Sequence, residues 1–229
     1  MELRGVNITN TNIVAGGGTP PIVTTGLTVS LDAGDPASYP GSGATWTNLV
    51  DSTNYTIING SYNSGSGGSI VFNGSSTYVS LGTILGSGSN FTKEAWVFAD
   101  VLTSGRNILS SQDNVFFTNN TTLHGGVGGQ YLLVASPSFP TGVWRHVALT
   151  FNDAANTLTL YINGTQVAQN TTVAQSYTGG IERIGAHYSG GSPVSFWDGN
   201  IAIVRVYNTA LSGTDILQNY NAQKSRFGL

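Results

Sequence analysis

No cysteine occurs among these 229 residues, which excludes a disulfide framework and a thiolate metal site and leaves the redox compartment unread. Charge is almost as scarce. Asp, Glu, Lys and Arg together make up 8% of the chain, where roughly 25% is usual for a globular protein. The lysines are Lys93 and Lys224 alone, and the formal net charge is −3. A chain so poor in cations has no basic stripe to neutralise a phosphate backbone, so nucleic acid is excluded as a partner. No apolar run reaches membrane-spanning length, and the opening MELRGVNITNTNIVAGGG lacks the continuous apolar core of a signal peptide. The expectation is a soluble chain with no membrane partner and no export signal.

What is present is a 39% hydrophobic fraction, ample for a core, with polarity supplied by Asn, Thr, Ser and 31 Gly. The length suits one large β domain. Nine Asn-x-Ser/Thr triplets, at Asn7, Asn54, Asn59, Asn73, Asn90, Asn119, Asn120, Asn163 and Asn170, are what so Asn-, Ser- and Thr-rich a chain makes by chance. They read as surface polarity.

Residues 1–25 differ from the rest. AGGGTPP (15–21) joins glycines, which impose no conformation, to prolines, which favour extended backbone, and so reads as a linker. Before it, Leu3, Val6, Ile8, Ile13 and Val14 are spaced by Asn and Thr in a weakly strand-like pattern. Such an arm cannot build its own core. It must lie across its own domain (26–229) or anchor a partner.

From Gly26 onward, short strand-like runs alternate with Gly, Asn and Ser clusters, the pattern of an all-β antiparallel sandwich. Runs at 27–33, 69–74, 77–82, 93–99, 107–111, 114–119, 130–135, 145–152, 157–162, 165–169, 181–186 and 200–208 are the predicted strands. In TLTLYINGTQVAQ, strict alternation meets Asn163-Gly164, the pair favoured by a type I′ hairpin turn. NIAIVRVYN (200–208) is apolar on both faces, Ile201 and Ile203 against Ala202, Val204 and Val206, and reads as a strand covered on both sides, either central or with its outer face against a loop or partner. Ser212-Gly213-Thr214-Asp215 fits a capping box, followed by Ile216, Leu217 and Tyr220 on one helical face. The tail SRFGL (225–229) either folds back on the domain or reaches a neighbour.

Four blocks resemble one known family, the laminin G-like branch of the concanavalin A-like lectin/glucanase jelly rolls. FTKEAWVFA (91–99) is similar to the family's Phe-Thr-x-Glu-x-Trp-Val strand, and GVWRHVALTFNDAANTLTLYINGTQV (142–167) to its Trp-x-His-Val-Ala strand and Leu-Tyr-x-Asn-Gly hairpin. FWDGNIAIVRVYNTALSGTDILQNYNA (196–222) resembles its closing strand and helical turn. GLTVSLDAGDPASYPGSGATWTNLVD (26–51) resembles the opening strand and loop of variants on tailed-phage structural proteins. The resemblance implies a concanavalin A-like jelly roll with a short C-terminal helical turn and an extended N-terminal arm. The chain also departs from the family: FNGSSTYV (72–79) places Asn73 and Ser76 or Thr77 where acidic residues are frequent, and Ala202 follows Ile201 where an Asp is frequent. Both changes count against a family-like calcium site.

The chemistry of catalysis is thinly represented. Glycoside cleavage needs paired carboxylates, whereas the glutamates are Glu2, Glu94 and Glu182, none with an acidic residue two positions away. His124, His146 and His187 are too dispersed in sequence for a metal cluster, and no Gly-x-Ser-x-Gly elbow is present. His146 reads as a hydrogen-bonded strand residue, and Glu94 as a lone residue in a structural or edge role. No cofactor is expected; calcium at Asp32, Asp35, Asp113 and Asn114 is a weak option, because Asp in such loops more often makes an Asx-turn. Sugar rings stack on aromatic faces, and Tyr39, Trp46, Tyr188 and Trp197 stand in loop-like stretches, while Trp96 and Trp144 read as core.

These features point to an interaction protein rather than an enzyme. The first expectation is a virion subunit, a capsid decoration or tail-associated protein of a tailed phage made in the host cytoplasm. It would anchor partly through its arm to viral capsid or tail proteins or to copies of itself. The alternative is a lectin-like module for host-surface glycans.

Overall fold

The computed structural model describes residues 20–128, 130–133, 138–173 and 179–229. The proposed anchoring residues Leu3, Val6, Ile8, Ile13 and Val14 lie outside them. The strands are β1 (Leu27–Asp32), β2 (Thr45–Thr47), β3 (Asn54–Ile58), β4 (Ser61–Asn63), β5 (Ser69–Asn73), β6 (Tyr78–Thr83), β7 (Phe91–Ala99), β8 (Arg106–Asn107), β9 (Leu109–Ser110) and β10 (Asn114–Asn119). They continue with β11 (Thr122–Val127), β12 (Gln130–Leu133), β13 (Trp144–Asn152), β14 (Thr157–Ile162), β15 (Thr165–Asn170), β16 (Ile181–Ile184), β17 (His187–Ser189), β18 (Ser192–Val194) and β19 (Asp198–Tyr207). One helix, α1 (Gly213–Gln223), and a 3₁₀ turn (Lys224–Phe227) close the chain.

All pairings are antiparallel. An eight-stranded sheet runs β15-β14-β13-β7-β19-β5-β4, and β1 also pairs with β19. The second layer consists of a five-stranded sheet, β2-β3-β6-β16-β9, and a four-stranded one, β12-β11-β10-β8. These two join where the Ile108 amide donates to Phe116 O. The product is a jelly-roll-like β-sandwich. Its ten-residue closing strand β19 is central, with β7 along one edge and β5 then β1 along the other.

Period-two alternation explains the layers. On β7, Phe91, Ala95, Val97 and Ala99 face the inter-sheet core, while Trp96 belongs to a separate apolar cluster on the sheet's outer face. On β13, Val147, Leu149 and Phe151 point inward, and Ala148 joins the outer side. The expected faces of β19 need one correction. A register shift between Ile201 and Ile203 changes the phase, so Ile201, Val204 and Val206 enter the core while Ala202 and Ile203 face outward. A bulge displaces every later side chain by one face.

The outer face of the large sheet is covered by α1 and the tail. The capping box forms as its sequence implies: Ser212 Oγ accepts from the Asp215 amide, and Asp215 accepts from the Ser212 amide. Ile216 and Leu211 pack on Ala148, Tyr161 and Tyr207, with Val23 and Leu27 beside them. Asn219, fully buried, bridges this layer: Oδ1 accepts from the Val23 amide, and Nδ2 donates to Glu94 Oε2 and Tyr207 OH. The end of the linker is therefore tied to α1. At the β14–β15 turn, Asn163 and Gly164 both have positive φ (50° and 75°), as a type I′ hairpin requires.

Candidate functional site

The C-terminal tail folds back on its own domain and builds one end of the outer face. The Phe227 ring stacks on Trp96 with centroids 4.1 Å apart and meets Trp144 at 4.8 Å. Arg226 Nη1 donates to both Asp32 oxygens at 2.7 and 2.9 Å. Its Nε and Nη2 donate to Ser66 O, Gly67 O and Gly68 O. These bonds hold a short 3₁₀ turn (Gly65–Gly67) in which Ser66 takes a left-handed φ of 51°. Trp144 Nε1 donates to Ser66 Oγ at 3.0 Å, so the tail, the turn and the indole form one assembly. A strained residue held by that many partners is a feature of ligand-contacting surfaces.

Against that turn lies a hollow of about 460 Å³, lined by Asn63, Gly65, Ser66, Val71, Phe98, Asp100, Trp144 and Asn200. Its floor follows directly from strand register. Val71 of β5 faces Asn200 of β19, Asn200 faces Phe98 of β7, and Phe98 faces Trp144 of β13. One cross-strand row thus runs from an aliphatic residue through an amide to two aromatic rings, with Phe98 and Trp144 centroids 5.6 Å apart. Both rings are half-buried and keep surface toward solvent. Asn200 Oδ1 accepts from Ser69 Oγ and Asn63 Nδ2, which leaves its Nδ2 donor for a ligand. Asp100 is exposed at the rim, and its carboxyl is pushed up by partial burial and by nearby Asp198. Volume, two aromatic faces and a few amide and carboxylate groups match what small polar ligands need.

Of the four aromatics expected to bind sugars, three are corrected by burial. Tyr39, Trp46 and Trp197 sit in the core between the sheets and offer no ring face to solvent. Tyr188 is half-buried, with the Arg183 guanidinium 4.1 Å over its ring and its hydroxyl donating to Gly191 O. Beside it, His187 lines a smaller hollow of about 160 Å³ with Phe117 and Asn107. There the Asn107 amide is already engaged by Ser195 O and Ser110 Oγ. Trp144, read from sequence as core, lines the hollow of about 460 Å³ together with Phe98. The signal was its phase: Phe98, next to the end of β7, and Trp144, which opens β13, both lie on the outer face.

The calcium option also changes. Asp32 spends both oxygens on Arg226, and Asp32 and Asp35 each accept from a backbone amide two residues on, as Asx-turns do. Asn114 Oδ1 accepts from Lys93 Nζ instead of facing a loop. Among the described residues no cluster of three or more His, Asp or Glu could hold a metal ion. At the family's acidic block, Asn73 Oδ1 accepts from the amides of Ser75, Ser76 and Thr77, so a neutral amide organises that turn.

Glu94 and Glu182 are fully buried. Glu94 accepts from Arg205 Nη1 at 2.7 Å and lies 3.5 Å from His146 Nε2, beneath α1. Burial would raise its carboxyl, but His146, Arg205 and Asn219 outweigh that and hold it down to about 2. Burial, with Glu94 nearby, also pushes the Tyr207 phenol well up.

Residues 73–217 match the family profile described as the concanavalin A-like lectin/glucanases superfamily. The chain belongs to that superfamily. Domain 4 of AbnA, a GH43 extracellular arabinanase from Geobacillus stearothermophilus solved in complex with arabinotriose, is similar with a TM-score of 0.65 at 19% identity, over 85% of this chain and 98% of that one. The binding domain of Paraclostridial Mosquitocidal Protein 1 is similar at 0.65 and 16% identity, over 86% and 52%. A Trypanosoma rangeli sialidase mutant displaying trans-sialidase activity is similar at 0.66 and 20% identity, over 88% of this chain but 33% of the sialidase. At these identities the likeness shows the fold alone. No curated protein matched in a sequence comparison.

Proposed function

We propose that the protein is a lectin-like carbohydrate-binding module whose ligand sits on the Val71–Asn200–Phe98–Trp144 row. The observation that carries this is the pairing of a half-buried Trp144 beside Phe98 with amide and carboxylate groups around one hollow of about 460 Å³. Aromatic faces take the C–H side of a sugar ring, and Asn and Asp bond its hydroxyls. Adjacent strands lie about 4.8 Å apart, so the row is long enough for two consecutive sugar rings. Similarity to an arabinanase domain solved with arabinotriose and to sialidases supports the same ligand class. With both described glutamates fully buried and neither lining the hollow, the reading is of binding without catalysis of glycan cleavage.

The test is an array of plant arabino-oligosaccharides and sialylated glycans probed with the wild-type chain and with Trp144→Ala and Asn200→Ala. Wild-type binding that falls roughly five- to thirtyfold in Trp144→Ala is the expected result, since stacking of this kind is worth about 1–2 kcal/mol. Binding that is unaffected by both substitutions refutes the site. The virion-subunit reading rests on the phage-like sequence blocks and is compatible with glycan binding. Mass spectrometry of purified particles for a fixed copy number tests it.

A further inference from the structure

Lys93 occupies an inward position of β7, in phase with the core residues Phe91 and Ala95. Its side chain is fully buried, as is that of Glu182 on β16 in the opposite layer, and Nζ lies 2.7 Å from Glu182 Oε2. Nζ also donates to Oδ1 of Asn114, a fully buried residue at the start of β10. Ser111 Oγ donates to the same Oδ1 at 2.7 Å. Asn114 Nδ2 and Glu182 Oε1 are buried and complete no hydrogen bond, although the two side chains are neighbours. Lysine, asparagine and glutamate from three different sheets therefore meet in one sealed place, where Nζ also donates to Leu109 O and Asn114 O and lies 5.6 Å from the Phe91 ring.

Burial of a lysine–glutamate pair is costly, and both groups can escape that cost by becoming neutral. Burial lowers the Lys93 ammonium and raises the Glu182 carboxyl, against the attraction of each for the other. A proton passed from Nζ to Oε2 leaves an uncharged amine, which is the nucleophilic form of lysine, held against an amide whose oxygen is already polarised by Ser111.

We propose that Lys93 and Asn114 condense into an intramolecular isopeptide bond, with Glu182 carrying the protons. The Nζ lone pair attacks Asn114 Cγ and forms the new C–N bond, and the negative charge on Oδ1 is met by the Ser111 hydroxyl. Glu182 gives its proton to Nδ2 and takes one from Nζ. The carbonyl re-forms, the Cγ–Nδ2 bond breaks and ammonia leaves. Amine plus primary amide becomes secondary amide plus ammonia, with Glu182 returned to its protonated state and no oxidant or water consumed. Fixed proximity supplies the driving geometry that free amine and amide lack in water. The product ties the eight-stranded sheet to the opposing layer covalently, in a chain that has no cysteine to do so.

Intact mass spectrometry of the purified full chain, followed by peptide mapping, tests this. The wild type is expected about 17 Da below its sequence mass through loss of ammonia, with the Lys93 peptide joined to the Asn114 peptide as a branched species. Asn114→Ala and Glu182→Gln are expected at full sequence mass. Folded wild-type protein, shown by circular dichroism, that has its full sequence mass and no branched peptide overturns the proposal whether or not the variants fold. An ammonia loss that persists in Asn114→Ala also overturns it, and an undiminished cross-link in Glu182→Gln overturns the role of Glu182.

Discussion

Replacing Phe227 by Ala tests whether the tail is part of the fold. Phe227 is 8% exposed, stacked on Trp96 at an interplanar angle of 15° and tilted against Trp144. A buried phenylalanine removes on the order of 150 Å² from water, worth about 4 kcal/mol at 25 cal/mol per Å². Measured Phe→Ala losses in cores run about 3–5 kcal/mol. Because this ring lies at the molecular edge, where neighbours relax into the gap, the expected loss is about 3 kcal/mol. For a domain of this size that lowers Tm by roughly 6–12 °C. The assay is urea and thermal denaturation followed by circular dichroism and tryptophan emission, since Trp96 and Trp144 both touch the ring. Leu229→Ala, 42% exposed in the wild type, is the control and should change stability by less than about 0.5 kcal/mol. A Phe227→Ala loss below about 1 kcal/mol would refute the seating of the tail.

Acid should weaken the fold through Glu94. Its folded pKa of about 2 is below the ordinary 4.5, so its contribution is complete above the unfolded value and is lost as pH falls from there toward 2. The full contribution is roughly 3 kcal/mol; denaturant titrations across that window should show the loss in wild type and a flatter profile in Glu94→Gln, and equal slopes would contradict it. Gly185→Ala should cost about 2 kcal/mol or more, because φ is +76° and the added methyl would enter the ring of buried Phe72. A loss within about 0.5 kcal/mol of zero in chemical denaturation would show that the core yields there.

Local, period-driven features were legible in the sequence. The β14–β15 hairpin, the central β19 and the capping box each depend on neighbours within a few residues. Features that depend on distant partners were not. β11 contains Gly125 and Gly126 and is not among the runs predicted as strands, yet a Cβ at Gly125 would collide with Leu149, so the missing side chain is what lets the strand pack there. The short strands β2, β3 and β4 are embedded in polar, Gly-rich sequence, and β17 and β18 form a hairpin of three residues each. Trp46 and Trp197 stand beside turn-forming residues, which suggested exposure, but the fold turns both into the core. The candidate site was hidden for the same reason: Val71, Asn200, Phe98 and Trp144 are brought into one row by strand order alone. Arg226 and Phe227, from the far end of the chain, hold the 65–67 turn and the Trp144 indole that line it.

The account's central claim, a sugar site on that row, is tested most directly by an NMR titration of the indole N–H signals with the oligosaccharide that binds best on the array. The chain has four tryptophans, and Trp46, Trp96 and Trp197 are fully buried while Trp144 is not. The account predicts a saturable shift of the Trp144 indole that is larger than any shift of the other three. Saturable binding that leaves Trp144 unmoved, with shifts instead around His187 and Tyr188, would contradict it.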